Sequence, residues 1–424
     1  MDLSQSGINV SVALQDVFSR ARAAYTSTRM PTLQSRREAL SQLDRLLTEN
    51  VDEIAAAISA DFGNRSLHET KLLEIFPSRT AVLDAKKHVR SWMKSRRSWA
   101  SMWFLPASTE LRPQPLGVIG IIVPWNYPVF LAVAPLAGAL AAGNRVLIKM
   151  SEFTPKTGAL FAKLVAKYFS SDHVAVINGN ADVGRDFSAL PFDHLLFTGS
   201  TEVGKHVMRA AAENLTPVTL ELGGKSPAII GPECKIDEAA EKILFGKCLN
   251  AGQTCIAPDY VLLPRAQEQA FAKAAQAVVG RLYPTLLNNP DYTSIISPRH
   301  IERLNGYLQD AVARGAMVLP ISPANESLEG SQKIAPTLIA NVSNDMRVMH
   351  EEIFGPILPL VPYDNLDQAI AYVNARPRPL ALYYFGNFDD HIQRVLNETV
   401  AGGVTVNDAL LHVSQDHLPF GGVG

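Results

Sequence analysis

The sequence predicts an α/β protein of two domains, each built around a largely parallel sheet. Three observations carry this expectation. Short runs of consecutive apolar residues recur without polar alternation, as strands buried on both faces require. Between them lie segments whose apolar positions repeat at helical spacing. The length, 424 residues, exceeds what one hydrophobic core usually serves.

The elements follow in order. From about residue 11 to 98 the pattern is helical, with Leu40, Leu43, Leu46, Leu47, Ile54, Ala57 and Ile58 spaced three and four apart. An aromatic patch, Ser98–Pro106, precedes Thr109–Pro115, whose prolines suit an edge or arm strand. Gly117–Val123, Val146–Lys149, Val174–Asn178 and His194–Thr198 are predicted buried strands. Thr154 and Pro155 open a helix, with threonine as the cap. Further strands are expected at Pro227–Ile230, Tyr260–Leu263 and Ile357–Val361, and helices near 237–250, 266–281 and 299–314. The domains divide as 1–220 and 221–424, with an arm near 101–115.

Composition excludes several function classes. Apolar residues make up 47% and charged residues 19%, with a net charge of −2, which fits a globular chain with no basic excess for nucleic acid or a membrane surface. The longest apolar stretch, Val129–Ala142, is interrupted by Pro135 and Gly138. It falls short of the roughly 20 residues a bilayer span needs. Three cysteines without a Cys-x-x-Cys pair point to a reducing compartment. The first residues lack the basic and apolar regions of a secretory signal, so the cytoplasm is expected.

Cys255 is the candidate nucleophile. It alone among the cysteines is flanked by small and polar residues, in Asn250-Ala-Gly-Gln-Thr-Cys-Ile256, which lets a substrate approach the sulfur. The alternative is an inert buried thiol. Glu221, in Leu220-Glu-Leu-Gly-Gly-Lys-Ser226, offers a carboxylate base. Asn126, in Pro124-Trp-Asn-Tyr-Pro128, follows a strand and has an amide that can donate to an oxyanion; capping the next helix is its other use. Lys149 and Glu152 end another strand, suited either to the hydroxyls of a nucleotide ribose or to a simple salt bridge. Gly199-Ser-Thr-Glu-Val-Gly204-Lys-His206 departs from a P-loop at one position, with His206 where a hydroxyl should hold Mg²⁺. A glycine turn followed by a helix N-terminus can still bind pyrophosphate. The Gly-x-Gly-x-x-Gly fingerprint is absent. His350-Glu-Glu lacks the second histidine of a zinc motif, so no metal is expected.

In this order, the runs Pro124–Pro128, Phe197–Ser200 with Gly204, Glu221–Lys225, Gly252–Cys255, Glu352–Pro356 and Pro419–Gly422 resemble the aldehyde dehydrogenase superfamily. The strings Phe192–Thr201 and Leu215–Pro227 look most like its class 3 branch, near the bacterial coniferyl aldehyde dehydrogenases. The resemblance implies a Rossmann-like cofactor domain, an α/β catalytic domain and a small oligomerisation arm. It implies NAD-dependent oxidation of an aromatic or medium-chain aldehyde to the acid, with NADP as an alternative cofactor, in a homodimer. By position, Cys255 forms the thiohemiacetal and thioester, Asn126 holds the oxyanion and Glu221 activates water. Lys149 and Glu152 bind the adenosine ribose, Gly199 and Ser200 the pyrophosphate region, and Glu352 and Phe354 the nicotinamide end. Met150 replaces a proline usual in the family. Relatives continue past the Pro-Phe-Gly-Gly motif, near which this chain ends. The competing readings are a P-loop nucleotide hydrolase, a catalytically silent relative and a CoA-acylating dehydrogenase; the presence of Glu221 argues against the last.

Overall fold

The computed structural model describes residues 10–415 and 417–423. The chain separates into two compact units, Met1–Ile58 with Thr70–Glu221, and Ser59–Glu69 with Leu222–Gly424. A single division after residue 220 therefore misses one excursion: Ser59–Glu69 belongs with the C-terminal half. Its ties are polar. The backbone of Ser294 donates to the Asn64 carbonyl at 2.9 Å, the Asn64 amide to the Tyr292 carbonyl at 2.9 Å, and Ser66 Oγ to Asp291 Oδ1 at 2.9 Å. Apolar periodicity carries no signal for such bonds.

In the first unit, helices Val10–Ser27, Leu33–Thr48 and Phe76–Trp92 bury one leucine- and valine-rich stripe each. Strands β1 (Arg96–Ser98) and β2 (Thr109–Leu111) pair antiparallel as an exposed arm. Five parallel strands follow: β3 (Val118–Ile122), β4 (Arg145–Lys149), β5 (Val174–Ile177), β6 (His194–Thr198) and β7 (Val218–Glu221). Their spatial order is β5-β4-β3-β6-β7. The order reverses between β3 and β6, and open sheets of this kind bind ligands beyond the carboxyl ends of the strands at that point. Helix Phe130–Ala142 starts after β3, and its first N–H groups, those of Val129 and Phe130, go to Glu74 Oε2 at 2.9 and 2.8 Å. Glu74 lies in a π-helical turn, Lys71–Ile75, and is fully buried. Thr154 does precede a helix, but its hydroxyl makes no capping bond and is buried without a partner, so Pro155 alone marks that start.

The second unit holds β8 (Pro227–Ile230), β9 (Tyr260–Pro264), β10 (Met317–Pro320), β11 (Thr337–Ala340), β12 (Ile357–Tyr363), β13 (Ala381–Phe385) and β14 (Gly403–Val406). They order as β10-β11-β12-β9-β8-β13-β14, with only β10 running antiparallel. Ile229, Leu262, Ile339, Ile357 and Leu382 form the sheet's share of one apolar core. Helices Ile236–Cys248, Glu268–Leu282 and Pro298–Ala313 match the predicted positions within a few residues. No helix among the described residues is long and apolar enough to cross a membrane.

Candidate active site

Parallel strands put all their carboxyl ends at one edge, and the first unit gathers its candidate residues there. Register sets Ile122 beside both Lys149 and Phe197, and Thr198 beside Glu221. Asn126 is buried in the loop after β3. Lys149 ends β4; its ammonium is buried, donates to the Met150 carbonyl at 2.7 Å and lies 3.9 Å from the exposed Glu152 carboxylate. Burial lowers the Lys149 pKa, and Glu152 opposes that shift. Gly199 and Ser200 follow β6. Ser200 caps helix Thr201–Ala212, with Oγ accepting from Val203 N at 3.4 Å, while Gly204 lies buried one turn in. The Gly199 N–H donates to the Glu221 carbonyl at 3.0 Å. Glu221 is the last residue of the edge strand β7, half-buried, and burial raises its carboxyl above the ordinary range. That is what a general base working near neutrality requires.

In the second unit the chemistry sits at the opposite, amino ends of the strands. Cys255 precedes β9 in a loop that begins with three consecutive left-handed residues, Asn250 (φ 51°), Ala251 (φ 51°) and Gly252 (φ 72°). For Ala251 that conformation costs about 1–2 kcal/mol, a strain typical of functional sites. Gly252 is required twice over, since a Cβ there would meet the Gly355 carbonyl oxygen at 2.4 Å. The buried Gln253 side chain fastens the turn. Its amide donates to the Asn250 and Ser294 carbonyls at 2.9 and 3.0 Å, and its oxygen accepts from Ile296 N at 3.0 Å. Cys255 itself is half-exposed. The other two thiols are poor nucleophiles. Cys248 is buried and pushed up to about 12 by that burial, and Cys234 is pushed up to about 11 by burial and then by Glu233 and Glu238.

The loop before β12 carries Glu352 and Phe354. The Lys225 ammonium holds it by pairing with Asp259 and donating to the Val348 and Glu351 carbonyls at 2.8 and 3.0 Å. Asp259 Oδ1 then accepts from Ile353 N at 3.0 Å, and Arg303 donates to the Glu352 and Phe354 carbonyls at 3.4 Å. Phe354 is itself left-handed, at φ 51°. The Glu352 carboxyl rests on Gly223, where an added Cβ would lie 2.2 Å from Oε2. Burial, then the Asp259 charge, push its pKa up to about 8. Glu352 Oε1 is buried without a hydrogen-bond partner. A protonated carboxyl with an unused oxygen fits a sugar hydroxyl, which both donates and accepts.

The structure thus aligns Asn126, Lys149, Glu152, Gly199, Ser200 and Glu221 along one sheet edge. It brings the Cys255 and Glu352 loops together, backbone against backbone, in the second unit. The model of the aldehyde dehydrogenase family matches residues 11–424. The chain belongs to the aldehyde dehydrogenase family. It is 56% identical over 422 residues to the "Probable coniferyl aldehyde dehydrogenase" of Pseudomonas aeruginosa, covering 99% of this chain and 87% of that one. The AldH of Staphylococcus aureus, solved in a substrate-bound state, superposes with a TM-score of 0.91 at 37% identity, over 97% of this chain and 88% of that one. The indole-3-acetaldehyde dehydrogenase AldA of P. syringae, solved with NAD+, superposes at 0.86 with 25% identity, over 94% and 81%. As a family member the chain is an NAD(P)-dependent aldehyde dehydrogenase. The comparisons support neither a nucleotide hydrolase nor a CoA-acylating enzyme. In the P-loop-like turn, Lys205 is spent on its exposed neighbour Glu202, at 2.8 Å.

Sequence reasoning missed Glu69, Glu74, Asp259 and Arg303. The first two lie in a helical stretch whose pattern marks only apolar positions. For Asp259 and Arg303 no short motif signals the role.

Proposed function

We propose that this dehydrogenase oxidises an aromatic or medium-chain aldehyde of the coniferyl aldehyde type, with NAD preferred over NADP, as a cytoplasmic homodimer. The thiolate of Cys255 adds to the aldehyde carbon, and the Asn126 amide and the Cys255 N–H hold the resulting oxyanion. The bound nicotinamide supplies the hydride acceptor, so that the thiohemiacetal becomes a thioester on sulfur. Glu221 then takes a proton from water as the water oxygen adds to the thioester carbon, and the acid leaves with the thiol restored. Lys149 and Glu152 bind the adenosine ribose, Gly199, Ser200 and Gly204 form the pyrophosphate turn, and Glu352 and Phe354 orient the nicotinamide end.

The observation carrying this reading is the strained loop that presents Cys255 half-exposed while Cys234 and Cys248 are disabled. The substrate class rests on the relatives and on Trp125, Tyr127 and Phe420 within the motifs. Three free cysteines favour a reducing compartment. Absorbance at the NADH band, recorded with aryl and alkyl aldehydes and with each cofactor, tests it. Turnover confined to short alkyl aldehydes would remove the aromatic assignment.

The exposed Glu152 carboxylate repels a 2′-phosphate. Glu152→Gln is therefore expected to raise the NADP:NAD ratio of kcat/KM, by about tenfold for roughly 1.4 kcal/mol of relieved repulsion. An unchanged ratio removes its role. The arm exposes Trp99 (95%), Met102 (80%) and Trp103 (90%), an apolar patch that a second subunit would cover. Light scattering at micromolar concentration should give the dimer mass; a monomer mass alone counts against the arm as an interface.

A further inference from the structure

We propose that Glu69 is a positioning residue for the nucleophile, its carboxyl gripping the left-handed turn from which Cys255 is presented. This rests on the assignment of Cys255 as the nucleophile. Helix Ile236–Cys248 ends at the turn, and the Asn250 N–H, fully buried, needs an acceptor that the helix no longer provides. Glu69 Oε2 accepts it at 2.9 Å. The same oxygen accepts from Thr293 Oγ1 at 3.1 Å. One residue on, the Ser294 carbonyl takes the Gln253 amide at 3.0 Å. The excursion Ser59–Glu69 and the segment 291–294 therefore hold the turn at both ends, at the Asn250 N–H and the Gln253 side chain. Between these grips lie Ala251 and Gly252, left-handed and leading directly to Cys255.

The groups facing Glu69 are Arg65, which favours its charge, and Asp291, which opposes it; Cys248, Tyr283 and Tyr292 lie within electrostatic reach. Burial dominates and pushes its pKa up to about 7. An uncharged amide is thus a fair stand-in for the side chain at neutral pH. Reach matters more than charge in this arrangement, and two substitutions separate the two. Glu69→Asp keeps a carboxylate beside Arg65 but draws the oxygen back from the Asn250 N–H. Glu69→Gln keeps the length and an oxygen acceptor.

The test measures iodoacetamide alkylation of Cys255, mapped by mass spectrometry, together with kcat, the KM for NAD and thermal melting. In folded Glu69→Asp, alkylation and kcat should fall together by roughly ten- to a hundredfold, the scale of a small misplacement of a reacting group. The KM for NAD should hold, and Glu69→Gln should recover most of both rates. Wild-type alkylation and kcat in the aspartate variant overturn the proposal, as does a glutamine variant as slow as the aspartate one. Cys255→Ala is the control. Turnover surviving in it defeats the nucleophile assignment itself, whereas an inactive alanine variant beside a wild-type-like Glu69→Asp defeats only the role of Glu69.

Discussion

Cys255→Ala is expected to lose aldehyde oxidation by about 10⁴-fold or more while keeping its affinity for NAD. Removing the nucleophile of a covalent mechanism abolishes the pathway, and the other groups act only through it. The magnitude follows from the lack of a substitute. Cys248 is sealed in the core, and Cys234 is held protonated by burial and two nearby carboxylates. Neither offers thiolate near neutral pH. Alanine is smaller than cysteine and relieves nothing in the left-handed turn before it, so the loop should keep its shape. Titration of protein fluorescence with NAD, beside single-turnover assays with aldehyde, separates binding from chemistry. Oxidation at a tenth of the wild-type rate would require another nucleophile.

Glu221→Gln should produce the second-largest loss, about 10²–10⁴-fold, the range of general-base contributions. The loss should fall on release of the acid. A burst of one NADH per active site should survive, followed by slow turnover as the thioester accumulates. In the wild type the release step needs the ionised carboxylate. Its rate should therefore rise with pH through a value above the ordinary carboxylate range, because burial favours the neutral acid. The glutamine variant should lose that rise. The sign for stability is the reverse: a carboxyl raised by folding contributes stability at low pH, which is lost as pH rises through its folded pKa. A steady-state rate in Glu221→Gln equal to wild type would point to a different base.

How much of this was legible depends on the kind of force involved. The strands β3, β4, β5 and β6 announced themselves because each is a short apolar run buried in a parallel sheet. β7, β10, β11, β13 and β14 did not. β10 is an exposed edge ending in proline, and β14 is only half-buried. β13 is buried throughout but rich in tyrosine; the Tyr383 hydroxyl finds the Ile256 carbonyl at 2.5 Å, a partner no local pattern foretells. The motif residues were visible as runs of glycine, small polar groups and isolated charge. Their supports were not. Glu74 under helix Phe130–Ala142, Lys225 and Asp259 under the Glu352 loop, and Glu69 under Asn250 act across long sequence separations. Such partners are chosen by the tertiary fold, and helical periodicity marks them only as polar.

The excursion Ser59–Glu69 has a consequence for biosynthesis. Residues among the earliest to leave the ribosome are ones the C-terminal half cannot finish without, so that half must wait for its own sequence and then close over a peptide made long before. A fragment beginning at Leu222 would lack this stretch, leaving the Asn250 N–H without its carboxyl acceptor. Splitting the gene at the apparent boundary should therefore yield two insoluble pieces, and co-expression of a 222–424 fragment with a peptide spanning 59–69 is the more promising route to rescue.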